Sequence, residues 1–402
     1  MMKHLDLIKR ISRMLLDNPR RCATFLRMEY RHRIGIPRDR RFSSFRSGPP
    51  TNLSVNLTMR CNLKCHMCRH IHHLKNRPAG RDWYDLKQEL PISTWVSVLD
   101  QLTAFRPLLY ITGGEPLIYP HFEEFIQEAK ARNLTTILQT NGILLSRHAD
   151  FLVRMGVEGV TCSLDGPPDI HDAIRNRAGA FALLKEGILA VRESRRGRSA
   201  PHPFISTNFT ITRGNLDRID EVVALSADMG VDFMQIQHTM FNPPELVLKH
   251  NGMFTREKST ELGLEVSQPP IAEGEDYQSE ITSEDIPRLK KSLIKAKAAA
   301  KGRLKLLSMP NLDQDQLEPY YLDIRYPFPA KCAKFWQCLR ILADGTVSPC
   351  LNFIVGNVKH QSVEEIWNGD QMQTLRALIA RNLFPACQRC CSRSFARNSR
   401  AF

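Results

Sequence analysis

The chain has 402 residues, 42% of them hydrophobic, enough for one large domain of roughly 200–250 residues and a smaller one. It contains no window of about 18 or more uncharged apolar residues to predict a spanning helix, and its N-terminus lacks the apolar core and cleavage site of a secretory signal. Eleven cysteines without such a signal argue against a disulfide scaffold and for metal ligation in a reducing cytosol, so a cytoplasmic location is expected. The net charge of +14 is unevenly placed: residues 1–47 hold thirteen Lys/Arg against four Asp/Glu. There Leu5, Ile8, Ile11, Met14 and Leu15 recur at helical spacing, with Lys3, Lys9, Arg10 and Arg13 off the stripe, and Pro19 closes the pattern. Such a basic amphipathic helix either packs its stripe on the rest of the fold, the favoured reading, or makes a peripheral contact with an anionic membrane. No recognition motif supports nucleic-acid binding.

From residue 53 strand-like and helix-like segments alternate. Leu53–Thr58 reads as a strand, followed by Cys61-Asn62-Leu63-Lys64-Cys65-His66-Met67-Cys68. Ser93/Thr94 offers an N-cap for a helix to Phe105. Leu108–Thr112 is a second strand ending in Gly113-Gly114-Glu115-Pro116, and a helix over His121–Arg132 leads to strand Thr135–Thr140 and Asn141-Gly142. Helix Ser146–Met155 leads to strand Gly159–Ser163 and Leu164-Asp165-Gly166. Helix Phe181–Arg192, strand Phe204–Ile211, helix Leu216–Met229 and strand Phe233–Gln237 complete the series. Six strands with helices between them predict an α/β fold with a parallel sheet and right-handed crossovers. The motifs fall at strand C-terminal ends, where parallel barrels place their chemistry. Residues 241–330 read as a linker with one helical insert, Ser283–Lys301, stopped by Gly302, after an acidic stretch around Glu273–Asp276.

Three thiolates as close as Cys61, Cys65 and Cys68 can cap three corners of an iron–sulfur cube and leave the fourth iron open to a small molecule; a zinc site, which would want a fourth ligand, and incidental cysteines are the alternatives. The Cys-x3-Cys-x2-Cys spacing resembles the signature of the radical S-adenosylmethionine (SAM) enzymes, although Met67 stands where that family usually has an aromatic residue. The resemblance implies a partial (β/α)6 barrel over residues 48–240 and a [4Fe-4S] cluster whose open iron is chelated by SAM. It also implies reductive cleavage of SAM to a 5′-deoxyadenosyl radical that abstracts hydrogen from a substrate carbon. Gly113-Gly114-Glu115-Pro116 resembles the family's run beside the SAM amino group: glycines let backbone carbonyls approach an ammonium, and Glu115 supplies negative charge. Asn141, Ser163 and Asp165 resemble its third and fourth strand ends, which bind ribose and carboxylate, and Arg175 could pair with that carboxylate. Each of these residues also suits a turn or cap.

Residues 331–402 supply the second cysteine set. Cys332, Cys350, Cys387 and Cys390 surround Ile341–Cys350, a hairpin with Asp344-Gly345 at its turn; a helix begins at Ser362. The arrangement resembles the small α+β auxiliary-cluster domains called SPASM and twitch, but only Cys391 follows the Cys-x2-Cys pair, so one auxiliary [4Fe-4S] cluster with four thiolates is implied. Structural zinc is the alternative, and Cys338 a substitute ligand. Cys22 and Cys162 read as ordinary buried thiols, and His66, His70, His72 and His73 as a solvated loop. Tyr320, Tyr321, Asp323 and Tyr326 precede the domain, where a polar group could face the barrel mouth. The implied activity takes an electron from a donor such as flavodoxin or ferredoxin, with the auxiliary cluster accepting or relaying one electron. The leading substrate expectation is a small polar metabolite (a sugar, cyclitol or nucleotide), oxidised or rearranged. The alternative is a peptide or protein side chain, although residues 1–47 lack a recognisable winged-helix length. A non-catalytic zinc protein that binds nucleic acid is a third reading, against which the Gly-Gly-Glu-Pro run argues.

Overall fold

The six expected strands form and pair in chain order: β1 (Asn52–Thr58), β2 (Leu108–Gly113), β3 (Thr135–Thr140), β4 (Gly159–Ser163), β5 (Phe204–Thr210) and β6 (Phe233–Gln237), all parallel. The structure, a computed structural model, describes residues 19–41, 44–68, 88–266, 279–328, 332–350 and 353–390. The helix expected before Pro19, the acidic stretch, His70, His72, His73 and Cys391 lie outside them. Leu53, Val55 and Leu57 of β1, Leu109 and Ile111 of β2 and Val160 of β4 are buried in one continuous core. The outer helices supply the other half, as Trp95, Val98, Leu99 and Leu102 of the helix Ile92–Leu102 do from one face. That helix starts immediately after Pro91, whose fixed φ suits a helix entry, and not at the expected Ser93/Thr94 cap.

Two strands were not anticipated in their places. Lys305–Met309 (β7), inside the segment read as a linker, pairs parallel with β6 in the register Phe233↔Lys305 to Gln237↔Met309. Cys338–Ile341 (β8) pairs parallel with β1, Asn52↔Cys338 to Val55↔Ile341. The expected hairpin then turns at Gly345, whose φ of +92° favours glycine, and returns as Thr346–Ser348 (β9). The cysteine-rich region thus extends the same sheet from its β1 edge.

The N-terminal helix Pro19–Tyr30 leads through a π-helical turn to a strap across the C-terminal region. Buried Arg31 donates to Asp39 at 2.8 Å and Ser47 at 2.9 Å, and Ser47 exchanges two hydrogen bonds with Asn368. A Cβ on Gly35 or Gly48 would come within 2.7 or 2.6 Å of that guanidinium.

Candidate active site

The cysteine loop begins where β1 leaves the sheet. Register between β1 and β2 slips between Asn56 and Thr58, a bulge that bends the strand. Arg60 N–H donates to Thr58 Oγ1 at 3.0 Å, His66 N–H to Ile174 O at 3.0 Å and Cys68 N–H to Cys65 O at 3.2 Å. Leu63 and Cys65 pack with Ile143 and Ala180. Burial pushes the Cys61 thiol up to about 11, and nearby Glu115, Cys65 and Cys68 push the same way; burial likewise raises Cys65. The three cysteines therefore share one site, and burial in it opposes ionisation of Cys61 and Cys65. A bound cation reverses that, because metal coordination deprotonates a thiol outright. This donor set fits an iron–sulfur cube.

The end of β2 lies directly on this loop. Gly114 N–H donates to Thr58 O at 2.9 Å and Glu115 N–H to Arg60 O at 2.8 Å. A Cβ on Gly114 would stand 1.9 Å from Arg60 O, and one on Gly113, at φ +132°, 2.4 Å from Thr58 O. The glycines are needed for this backbone-to-backbone approach. Pro116 starts the short turn that follows. Glu115 is buried, and its carboxylate accepts from Leu117 N–H at 3.1 Å, Thr140 Oγ1–H at 2.8 Å and Asn141 N–H at 2.7 Å. Burial pushes it up to about 7 against the pull of those donors. Its carboxylate joins the ends of β2 and β3 through Thr140 and Asn141.

The other expected SAM contacts divide. Ser163 is half-buried and accepts from Gln139 Nε2 at 3.0 Å. Asn141 Nδ2 donates to Asn62 Oδ1 at 2.7 Å and reaches Cys61 Sγ at 3.8 Å. Asp165 is fully buried; it accepts from Thr210 N–H at 3.0 Å and pairs with Arg175, which also reaches Cys65 Sγ at 3.7 Å. Arg175, expected against the SAM carboxylate, pairs with a carboxylate of the protein. Asn62, Thr140, His171 and Asn215 complete this lattice; as single polar residues, His171 in the helix Pro168–Arg175 and the others in loops or at a strand end, they carry no spacing signal.

The second cysteine set also comes together. Burial raises Cys387 well above its ordinary value, and Cys332, Cys350 and Cys390 add to it; burial pushes Cys332 up to about 11, with Cys390 adding. Three phenylalanines gather the segments: Phe335, Phe353 and Phe384 each stand three residues from a cysteine of the set. Phe353 and Phe384 meet at 5.3 Å, and Phe335 lies 6.4 Å from each. Cys338 instead opens β8, where Asn52 Nδ2 donates to its sulfur at 3.8 Å. Among the described residues no three His, Cys, Asp or Glu side chains are gathered closely enough to hold a metal ion.

Cys162 is a buried core thiol, raised by burial, and Cys22 lies in the N-terminal helix. His66 is exposed. Tyr321 donates to or accepts from His238 Nδ1 at 2.8 Å, Asp323 accepts from Arg325 N–H at 3.0 Å, and Tyr326 is exposed. A surface cleft of about 940 Å³ bordered by Glu186, Arg192 and Arg196 lies where the helix Ala180–Gly197 runs toward the start of β5, the opposite strand end from the cysteines.

Residues 55–200 match the radical SAM superfamily, and residues 332–391 match SPASM, an iron–sulfur cluster-binding domain. A radical SAM domain thus precedes a SPASM domain in this chain. The two domains imply a [4Fe-4S] cluster, SAM and an auxiliary iron–sulfur cluster. It is 30% identical over 195 residues to the PqqA peptide cyclase of Gluconobacter oxydans, which is 48% of this chain and only half the length of that relative. It is 22% identical over 344 residues, 84% of this chain and 86% of the relative, to a tungsten-containing aldehyde ferredoxin oxidoreductase cofactor-modifying protein of Pyrococcus furiosus. Streptococcus suis SuiB, solved with precursor peptide SuiA, shares the fold with a TM-score of 0.58 at 14% identity, over 87% of this chain and 72% of SuiB. Among the described residues no helix is long and apolar enough to cross a membrane.

Proposed function

We propose that this chain is a radical SAM maturase that takes hydrogen from a side chain of a peptide or protein. The observation that carries the chemistry is the three-cysteine loop pinned under the Gly113–Glu115 turn at the strand C-terminal ends. Cys61, Cys65 and Cys68 hold the cluster, and Cys332, Cys350, Cys387 and Cys390 hold the auxiliary one. With SAM, the first cluster supplies the electron for reductive cleavage to a 5′-deoxyadenosyl radical. Gly113, Gly114 and Pro116 shape the backbone beside it. Asn141 and Ser163 present polar groups toward SAM, while Glu115, Asp165 and Arg175 keep the strand ends and the cysteine loop in register. An external donor such as flavodoxin or ferredoxin provides the electron.

The substrate class follows the relatives and departs from the metabolite expectation. A named peptide cyclase and a fold neighbour solved with its precursor peptide favour a peptide. The test works whichever molecule the substrate is. Reduced, reconstituted protein is given SAM with either a deuterated tryptic peptide mixture or a deuterated small-metabolite fraction, and deuterium in the 5′-deoxyadenosine is measured by mass spectrometry. Label from the peptide mixture is expected; label from the metabolite fraction alone would return the reading to a small polar substrate.

A further inference from the structure

The two-residue spacer between Cys387 and Cys390 contains Arg389, whose side chain is almost wholly buried, with the residue 1% exposed. Nothing in the cysteine spacing calls for a charge there. Its guanidinium donates from Nε to Tyr320 O at 2.7 Å and from Nη2 to Pro319 O at 3.1 Å and Asp323 O at 2.5 Å. Nη1 donates back to Gln388 O at 3.2 Å. The same group lies 5.0 Å from the Phe328 ring centroid and 5.6 Å from that of Tyr320, the range of cation–π attraction. Pro319 and Tyr320 belong to the helix Leu317–Leu322, and Asp323 is its C-cap. One side chain of the cysteine loop therefore satisfies three carbonyls at the end of a helix from the segment read as a linker.

That helix also grips the barrel. Tyr320 OH donates to Thr239 O at 3.1 Å and lies 3.4 Å from Arg389 O. Tyr321 OH is hydrogen-bonded to His238 Nδ1 at 2.8 Å, and His238 N–H donates to Met309 O at 2.8 Å. His238 and Thr239 directly follow β6, and Met309 ends β7. A continuous run of hydrogen bonds thus ties the Cys387–Cys390 loop to the C-terminal ends of two barrel strands.

The charge has its own consequence. A guanidinium stays protonated in proteins, and in a buried site its field is weakly screened. Adding an electron makes a thiolate-held cluster more negative, so a cation within the ligand loop stabilises the reduced state more than the oxidised one. Charge and nearby donors are among the terms that set cluster potentials.

We propose that Arg389 is a positioning residue of the auxiliary site, locking the Cys387–Cys390 loop to the ends of β6 and β7 and raising the reduction potential of the cluster held there. The inference rests on Cys332, Cys350, Cys387 and Cys390 holding an iron–sulfur cluster. The test uses the full chain with Cys61, Cys65 and Cys68 replaced by Ala, so that only the auxiliary cluster contributes, carrying Arg389, R389K or R389M. Each protein is reconstituted anaerobically, assayed for iron, and titrated with dithionite and mediators while the reduced cluster is followed by electron paramagnetic resonance. R389M is expected to keep its iron but to show at least a tenfold lower reduced-to-oxidised ratio at the parent midpoint, equivalent to about 59 mV for one electron. R389K, which keeps the charge, should stay nearer the parent than R389M does. An R389M midpoint equal to the parent's overturns the proposal. If R389M cannot hold iron, R389K decides: parent-like iron and midpoint support the proposal, and a fall in either overturns it. A parent without iron refutes the auxiliary-cluster reading itself, a result distinct from iron with an insensitive midpoint.

Discussion

The two cysteine sites are assembled by different routes. Cys61, Cys65 and Cys68 occupy one loop, so placing the end of β1 nearly places all three; what remains is to press the loop down, which the Gly113–Gly114 backbone does. Cys332, Cys350 and the Cys387–Cys390 loop arrive on three separate segments and meet because Phe335, Phe353 and Phe384 bury themselves together. One site is held by close backbone packing, the other by an aromatic core. A site of the first kind fails when a small residue grows; one of the second fails when a large residue shrinks.

The sharpest test of that contrast is to empty the first site alone. Replacing Cys61, Cys65 and Cys68 together with Ala should abolish formation of 5′-deoxyadenosine and remove about four irons, leaving the auxiliary cluster's own iron in place. Continued SAM cleavage would end the radical SAM reading. Phe384→Ala should do the reverse: it leaves a cavity in the aromatic cluster, costs about 3–5 kcal/mol in denaturant unfolding, and lowers auxiliary iron while the first site keeps its own. Equal iron loss from both sites would show that they do not fold independently. Gly114→Ala should cost about 3 kcal/mol, because its Cβ would sit 1.9 Å from a backbone oxygen, and should deplete iron at the first site selectively.

His250 probes the aromatic side by pH. It packs against Phe254, Phe353 and Phe384, and burial holds its imidazole down from 6.5 to about 4. Between those values the unfolded chain binds the proton and the folded one does not, so this group's contribution is complete above pH 6.5 and is lost on acidification toward pH 4. His250→Phe should therefore lose about 2 kcal/mol less stability than the parent between pH 7 and pH 5. Identical pH dependence would place that histidine in water. The smallest effect is expected of Cys338→Ala, with unchanged iron content and a stability change below about 1 kcal/mol; lost iron would make Cys338 a ligand after all.

Reading from sequence succeeded where the cause was local. Strands Thr135–Thr140, Gly159–Ser163 and Phe233–Gln237 begin and end where their patterns predict, since each is a short apolar run between turn residues. The Cys-x3-Cys-x2-Cys loop was legible for the same reason: its ligands need only one another. Lys305–Met309 was missed because a five-residue segment without clean alternation becomes a strand only when β6 offers it a free edge. Glu115, Asp165 and Arg175 were visible as motif residues, but their hydrogen-bonding partners were not.

The alternating βα order, the three-cysteine loop and the second group of cysteines depend on neighbours along the chain and can be read from it directly. Folding in three dimensions sets the rest: β8 extends the barrel sheet, Glu115 and Arg175 hold strand ends and cysteine loop together, and Arg389 lies buried between two cysteines. A buried charge is set by the groups that meet it in space: Glu115 meets the Asn141 N–H, Arg175 the Cys65 sulfur and Arg389 the Tyr320 carbonyl, 26, 110 and 69 positions away along the chain.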